Sequence, residues 1–286
     1  MLLNNGISMP AIGYGTFNVP EETVAPLVAA ALQCGCHHID SATRYENEKG
    51  TGQGLRESGV PRKDFFLTSK VWNTSRGYDN TMRAFEQSLS DLGTDYLDLY
   101  LIHWPANRKQ FGDRADAINR DTWRALETLY KEGRVRAIGL SNFLQHHIEP
   151  LMETAEIQPM VDQVELHPGF AREDLCAWCK ERNIVMQAWS PLGRGRCLGH
   201  PVIVEMASRY GVSPAQLILR WVMQQGIVPL FKASSPERIR ENFLPATPEE
   251  AVAGRPKWFE LSAEDVRTLI DLPIGPLSRQ PDDVDF

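Results

Sequence analysis

The chain has 286 residues, 42% of them hydrophobic and 23% charged, and a formal net charge of −7. That acidic balance argues against a general affinity for nucleic acid or anionic membrane, since both ask for basic patches. The five cysteines, at 34, 36, 176, 179 and 197, lack the paired spacing of a disulfide framework and read as free thiols in a reducing compartment.

The opening Met1-Leu-Leu-Asn-Asn-Gly6 has no charged-then-apolar order of a signal peptide. No apolar run approaches the ~20 residues of a spanning helix, so a cytoplasmic protein is expected. Asn5-Gly6 between apolar residues is a strong hairpin signal, and this N-terminal β-hairpin is expected to plug the bottom of the fold. Short apolar runs then alternate with helical patterns: Ala11–Gly15, His37–Asp40, Phe65–Val71, Leu97–Ile102, Val135–Leu140, Val161–Glu165, Ile184–Ala188 and Ile227–Leu230. Strands that alternate with helices imply parallel pairing, and eight such units predict an α/β fold of the closed (β/α)8 barrel, or TIM-barrel, kind.

Between the strands, Met82, Phe85, Leu89 and Leu92 recur at helical spacing, giving one apolar stripe to set against the sheet. A helix is predicted over Thr122–Glu132, with Gly133 as its C′ glycine and Val135 opening the next strand. Cys176-Ala-Trp-Cys179 has the spacing of a redox or zinc motif, but it falls inside a helical pattern, Ala171 to Asn183, with no second ligand pair nearby. Thiols packed against the barrel wall are the simpler reading. Pro245 to Pro256 reads as a loose charged insertion before a final helix, Ala263–Asp271. No linker divides the chain, so residues 1–286 are expected to form one domain, with a C-terminal tail from 272 to 286 that can fold back beside the pocket.

The residues that carry chemistry fall at strand ends. In such a barrel the C-terminal ends of the strands face one mouth, where active sites form. Asp40, Lys70 and His103 end the second, third and fourth strands, and Tyr45 lies on the loop after the second. A free phenol, with a pKa of about 10, is a poor acid near neutrality, and an adjacent ammonium lowers that value. Lys70 is expected to act in this way on Tyr45. A buried lysine needs an anionic partner, and Asp40 is the obvious one. His103 could donate to a carbonyl oxygen and orient it.

Five segments carry a more specific signal: Gly35 to Glu48, Thr68-Ser-Lys-Val-Trp-Asn73, Leu101-Ile-His-Trp-Pro105, Gly139-Leu-Ser-Asn-Phe143 and Ser190-Pro-Leu-Gly193. In order and over nearly the whole chain, they resemble the signatures of the aldo-keto reductases. The resemblance implies that Asp40, Tyr45, Lys70 and His103 form the catalytic tetrad with Tyr45 as general acid. It further implies reduction of an aldehyde or ketone by hydride transfer from a nicotinamide, without a metal.

No Gly-x-Gly-x-x-Gly turn follows a strand, so the dinucleotide has to be held differently. The resemblance places the carboxamide against Ser141, Asn142 and Gln163 and the nicotinamide ring on Trp189, with Ser190 and Leu192 beside it. It places the adenosine 2′-phosphate at Lys232, Ser234 and Arg238, and the adenine at Glu241 and Asn242. An ammonium and a forked guanidinium suit a dianionic phosphate, which favours NADPH over NADH. Two positions depart from the family pattern: Trp189 stands where a tyrosine is common, and Pro229-Leu-Phe-Lys-Ala233 replaces the usual Ile-Pro-Lys-Ser.

Phe17, Trp72, His103, Trp104 and the loop Ala106–Asn119 are the expected substrate walls, an aromatic lining suited to apolar carbonyl compounds. Arg108, Lys109 and Arg114 on that loop read as a solvated face rather than an anion trap. A monomer acting on a small molecule is expected. Two other classes stay open on the residues alone. One is an NADPH-binding regulatory module with little turnover. The other is a metal-dependent barrel hydrolase using His103 and Asp40, which lacks further ligands and would set Lys70 against a cation.

Overall fold

The computed structural model describes residues 1–243 and 259–286; the insertion expected over Pro245 to Pro256 lies outside the described residues. Eight strands close into a barrel in chain order: β1 (Gly13–Gly15), β2 (His38–Asp40), β3 (Phe66–Val71), β4 (Leu97–Ile102), β5 (Val135–Ser141), β6 (Val161–Glu165), β7 (Val185–Trp189) and β8 (Val228–Phe231). Every neighbouring pair is parallel, including β1 with β8, so no edge is left open. The order matches the expected eight-unit barrel, with strand bounds shifted by a residue or two from the apolar runs.

Helices α1 (Glu21–Gln33), α2 (Glu48–Glu57), α3 (Tyr78–Leu92), α4 (Arg108–Phe111), α5 (Ala115–Lys131), α6 (Gln145–Met152), α7 (Glu173–Glu181), α8 (Pro201–Tyr210), α9 (Pro214–Gln224), α10 (Pro236–Phe243) and α11 (Ala263–Ile270) surround it. The stripe of α3 buries Phe85, Leu89 and Leu92, while Met82 packs at its margin. Helix α5 starts seven residues before the expected Thr122, and the presumed loop 106–119 also contains α4. The polar residues Asp116, Asn119 and Asp121 masked a continuing periodicity in which Ala115, Asn119 and Thr122 face inward. Gly133, at φ 72°, closes α5 as expected, with its N–H bonded to the Tyr130 carbonyl.

The N-terminal hairpin is reduced to a single bridge, Leu2 to Ser8, turning at Gly6. Asn4 donates to the Pro159 carbonyl at 3.1 Å and Asn5 to the Arg136 carbonyl at 2.9 Å, which fastens the turn where β5 and β6 begin. Met9 then sits fully buried under Gln187, so the hairpin closes the barrel at the end opposite the mouth.

The α1/α2 seam is unusually close. A Cβ built on Gly50 would lie 2.5 Å from the Glu21 carbonyl oxygen, and one on Gly54 2.4 Å from that of Ala25. Only glycine lets the two backbones approach so far. Since α2 follows directly on the loop that carries Tyr45, this seam sets where that loop leaves the barrel.

Candidate active site

Asp40 ends β2, Lys70 lies one residue from the end of β3, and His103 follows β4 directly. Asp40 pairs in register with Thr68, which places the Lys70 side chain one layer above it on the same inner face. Tyr45 ends a single 3₁₀ turn, Thr43–Tyr45, which stops because Glu46 adopts a left-handed conformation at φ 56°.

Lys70 is fully buried, and its ammonium has three acceptors. It donates to Asp40 Oδ1 at 2.6 Å, to the Ser41 carbonyl at 2.9 Å and to the Tyr45 hydroxyl oxygen at 3.1 Å. All three N–H bonds are thereby used, and the charge is neutralised where an isolated ammonium would be costly. Because the Tyr45 oxygen accepts from Lys70, its own O–H proton is free to point elsewhere. The aromatic ring of Tyr45 meets His103 edge-on at 5.6 Å. Among the described residues His103 Nδ1 is buried without a partner, whereas Nε2 makes no hydrogen bond and His103 lines the cleft.

Burial dominates the acid–base character of the site. It raises the Tyr45 pKa, and the nearby Lys70 charge only partly offsets it. The expectation of a lowered phenol is therefore corrected: desolvation of the phenolate outweighs one ammonium that is itself paired with Asp40. His103 is held well below its usual value by burial, then by the charges of Lys70 and Arg44, so it is a neutral imidazole. Lys70 itself is raised, since attraction from Asp40 and Tyr45 overcomes the effect of burial.

The four groups open onto a cleft of about 1400 Å³. Tyr45, Asp40 and His103 line it directly, and Lys70 stands behind them. All eleven residues expected to face a dinucleotide line the same cleft, as do Phe17, Trp72 and Trp104. Gln163 Nε2 donates to Asp40 Oδ2 at 2.9 Å and to Gln187 Oε1 at 2.8 Å, tying this end of the cleft to the charged pair. Asn142, left-handed at φ 63°, donates to the His103 carbonyl and to Ser141 Oγ, and accepts from Trp189 Nε1 at 2.8 Å. Lys232 and Arg238 also line the cleft, and no carboxylate among the described residues lies within 4.0 Å of either.

Other wall residues were missed by sequence reasoning. Arg44, Arg194, Arg279, Val284 and Phe286 all line the cleft. Arg44 directly precedes Tyr45, and that adjacency was the one signal available for it. The tail folds back as expected, strapped by Asn107, whose amide donates to the carbonyls of Pro281 at 2.8 Å and Val284 at 2.9 Å. Phe286 stacks on Trp72 at 5.5 Å and meets Trp104 edge-on at 5.4 Å. Glu165 holds the start of the strap through the Leu277 N–H and the Ser278 hydroxyl.

Two other clusters lack this chemistry. Cys176 and Cys179 sit in α7 as free thiols, and burial pushes Cys176 up to about 12, far from the reactive thiolate range. His146, His147 and Asp282 lie within reach of one ion, but the Leu144 N–H donates to His147 Nδ1 at 3.1 Å. That bond puts the proton of neutral His147 on Nε2, facing Asp282 Oδ1 at 3.0 Å, so the nitrogen a metal would need carries hydrogen.

The family model described as "Aldo/keto reductase family" matches residues 11–246. Glyoxal reductase of Bacillus subtilis is 48% identical over 84% of each chain, and the uncharacterized oxidoreductase YtbE of the same organism is 45% identical over 99% of this chain and 96% of its own. Among solved structures, an aldo-keto reductase from a Medee basin deep-sea metagenome library superposes with a TM-score of 0.89 over 100% of both chains at 38% identity. An aldo-keto reductase of Bombyx mori in complex with NADP gives 0.83 at 29% identity, over 94% of this chain and 91% of its own.

Proposed function

The chain belongs to the aldo/keto reductase family, and on that premise we propose that it reduces small aldehydes and ketones to alcohols with NADPH, Tyr45 serving as general acid. The family makes it an oxidoreductase acting on carbonyl compounds; the cofactor preference and the residue roles are this reading's own. The observation that carries it is the buried Lys70 ammonium, neutralised by Asp40 and donating to the hydroxyl of a tyrosine that lines the cleft.

The residues present suit a dinucleotide. Trp189 offers an aromatic face, Asn142 and Gln163 offer amide oxygens beside it, and Lys232 and Arg238 offer two cations with no carboxylate within 4.0 Å among the described residues. Once bound, NADPH supplies the hydride. The chain does the rest. A substrate carbonyl oxygen placed between Tyr45 and His103 Nε2 accepts hydrogen bonds from both, and these strengthen as negative charge grows on that oxygen. Tyr45 gives up its proton as the alkoxide forms, and the resulting phenolate is held by Lys70, already 3.1 Å away. The raised pKa of the resting phenol keeps that proton in place until the alkoxide needs it. His103, neutral, orients the carbonyl without competing as an acid.

Lys232, Ser234 and Arg238 support NADPH over NADH through the 2′-phosphate. A monomeric catalyst formed by residues 1–286 belongs to this reading, and the net charge of −7 together with the free cysteines supports a cytoplasmic setting. Oxidation of NADPH followed at 340 nm against a panel of aldehydes, α-ketoaldehydes and ketones tests the reading, with NADH in parallel. Turnover that is lost in Tyr45→Phe establishes it. Tight NADPH binding with no turnover across the panel replaces it with a nucleotide-sensing module.

A further inference from the structure

Building on the proposed reductase activity, we infer that Arg44 is a specificity-determining residue that selects carbonyl substrates bearing a carboxylate at the end remote from the reacting carbon. Its guanidinium lies over the Trp72 ring, 5.5 Å from the centroid, and that indole meets His103 edge-on at 5.0 Å. The cation therefore stands one aromatic ring away from the imidazole that faces the carbonyl site. Its charge reaches that imidazole, being one of the influences that hold His103 neutral.

The guanidinium has donors to spare. Nη1 binds Glu46 Oε1 at 3.0 Å, and Arg44 makes no other hydrogen bond among the described residues. The pair is exposed, and such pairs are weak and readily exchanged. An incoming carboxylate can thus take the free edge of the fork in a bidentate contact while its apolar body lies along Trp72. The other charges at this end leave room for an anion. Arg279 also lines the cleft and spends its charge on Asp285 at 2.5 Å, and Asp40 is consumed by Lys70. Two basic residues of the loop after β4 are committed elsewhere: Lys109 donates to the Asp283 carbonyl, and Arg108 faces Asp116. Lys232 and Arg238 line the cleft from the segment that follows β8. Among the described residues Glu46 is the one carboxylate within 4.0 Å of the Arg44 guanidinium.

The separation matters. A 2-oxo acid carries its carboxylate next to the carbonyl and cannot span the indole, whereas a rigid para-substituted aldehyde acid can. Three compounds of this kind make the test: 4-carboxybenzaldehyde, its uncharged methyl ester, and phenylglyoxylate as the short-span acid. Initial rates with NADPH give kcat/KM for each with the native protein and with Arg44→Gln, Arg44→Lys and Glu46→Gln.

The native protein is expected to prefer the long acid to its ester by about tenfold, expressed in KM and weakened by added salt. Arg44→Gln is expected to bring that ratio close to one, Arg44→Lys to restore part of it, and Glu46→Gln to raise it. Phenylglyoxylate should show no comparable dependence on Arg44. An acid-to-ester ratio near one in the native protein overturns the inference while leaving the reductase reading intact. So does a ratio that Arg44→Gln leaves unchanged. Reduction of none of the three compounds, nor of any aldehyde in the wider panel, removes the reductase reading and this inference with it.

Discussion

Trp189 Nε1 donates to Asn142 Oδ1 at 2.8 Å, joining the end of β7 to the end of β5 across the intervening strand. An indole at this position therefore does more than present a flat face. It fixes the amide whose other end already holds the His103 carbonyl, so the expected cofactor ring and the expected carbonyl site are positioned by one side chain. Trp189→Phe keeps an aromatic face and removes the donor. Loss of this part-buried hydrogen bond, about 1–2 kcal/mol, predicts NADPH binding weakened roughly fivefold to thirtyfold by titration calorimetry. Trp189→Ala should weaken it further, and NADPH binding left unchanged by Trp189→Phe would show that the hydrogen bond contributes nothing.

Lys70 and Asp40 make the second prediction. Lys70→Met leaves the Asp40 carboxylate buried beside Gln163 without its cation, a change expected to cost about 3–5 kcal/mol in chemical unfolding. The double variant Asp40→Asn/Lys70→Met removes both charges and should recover most of that loss. Turnover should stay absent in both, because neither can hold a Tyr45 phenolate. Recovery of turnover in the double variant would dissociate Lys70 from the chemistry.

The third concerns pH. On the proposed mechanism reduction needs Tyr45 protonated, so its rate is fully present below the Tyr45 pKa and is lost as pH rises through it. That pKa is raised by burial, so the alkaline fall in kcat/KM is expected above about pH 10. His103 is depressed well below its usual 6.5, so no acid limb should appear near that value. Alcohol oxidation should show the opposite slope, growing as the phenolate becomes available. A bell-shaped profile for reduction centred near neutrality would contradict both assignments.

Asp162 supplies the fourth. It sits on β6, fully buried, and neither carboxylate oxygen has a hydrogen-bond partner at bonding geometry, although the Phe143 and Gln163 amides lie near. Burial raises its pKa to about 8. Folding thus favours the protonated carboxyl, and stability should fall as pH rises from about 4, where an unfolded aspartate ionises, to about 8. Asp162→Asn abolishes that dependence and should raise stability at pH 8 by on the order of 1–3 kcal/mol, with little change near pH 5. Thermal unfolding at the two pH values measures it.

What could be read from the residues followed from short-range pattern. The strands announced themselves as apolar runs, and a closed barrel converts strand order into proximity, so Asp40, Lys70 and His103 could be assembled without knowing any distance. The raised Tyr45 pKa could not be foreseen, because it depends on how completely the hydroxyl is desolvated. The same holds for the strap. Asn107 reaches residues more than 170 positions later, and nothing local to Pro281 or Val284 marks them as its acceptors. Helix α5 was cut short for a milder reason: polar residues at its start hid an inward face that packing alone reveals.

The glycine seam between α1 and α2 has a consequence for how such a catalyst can change. Tyr45 is placed by a loop whose exit is fixed by two helix backbones in near contact, so its aim is inherited from the outer shell as much as from the barrel wall. Drift at Gly50 or Gly54 would push α2 outward and carry the Tyr45 loop with it, unless Glu21, Val24 or Ala25 moved in compensation. Across descendants of this chain, those positions should covary as one block, while the cleft wall around Arg44 and Phe286 remains free to diversify. The tetrad would then persist through changes of substrate because its footing lies outside the cleft under selection.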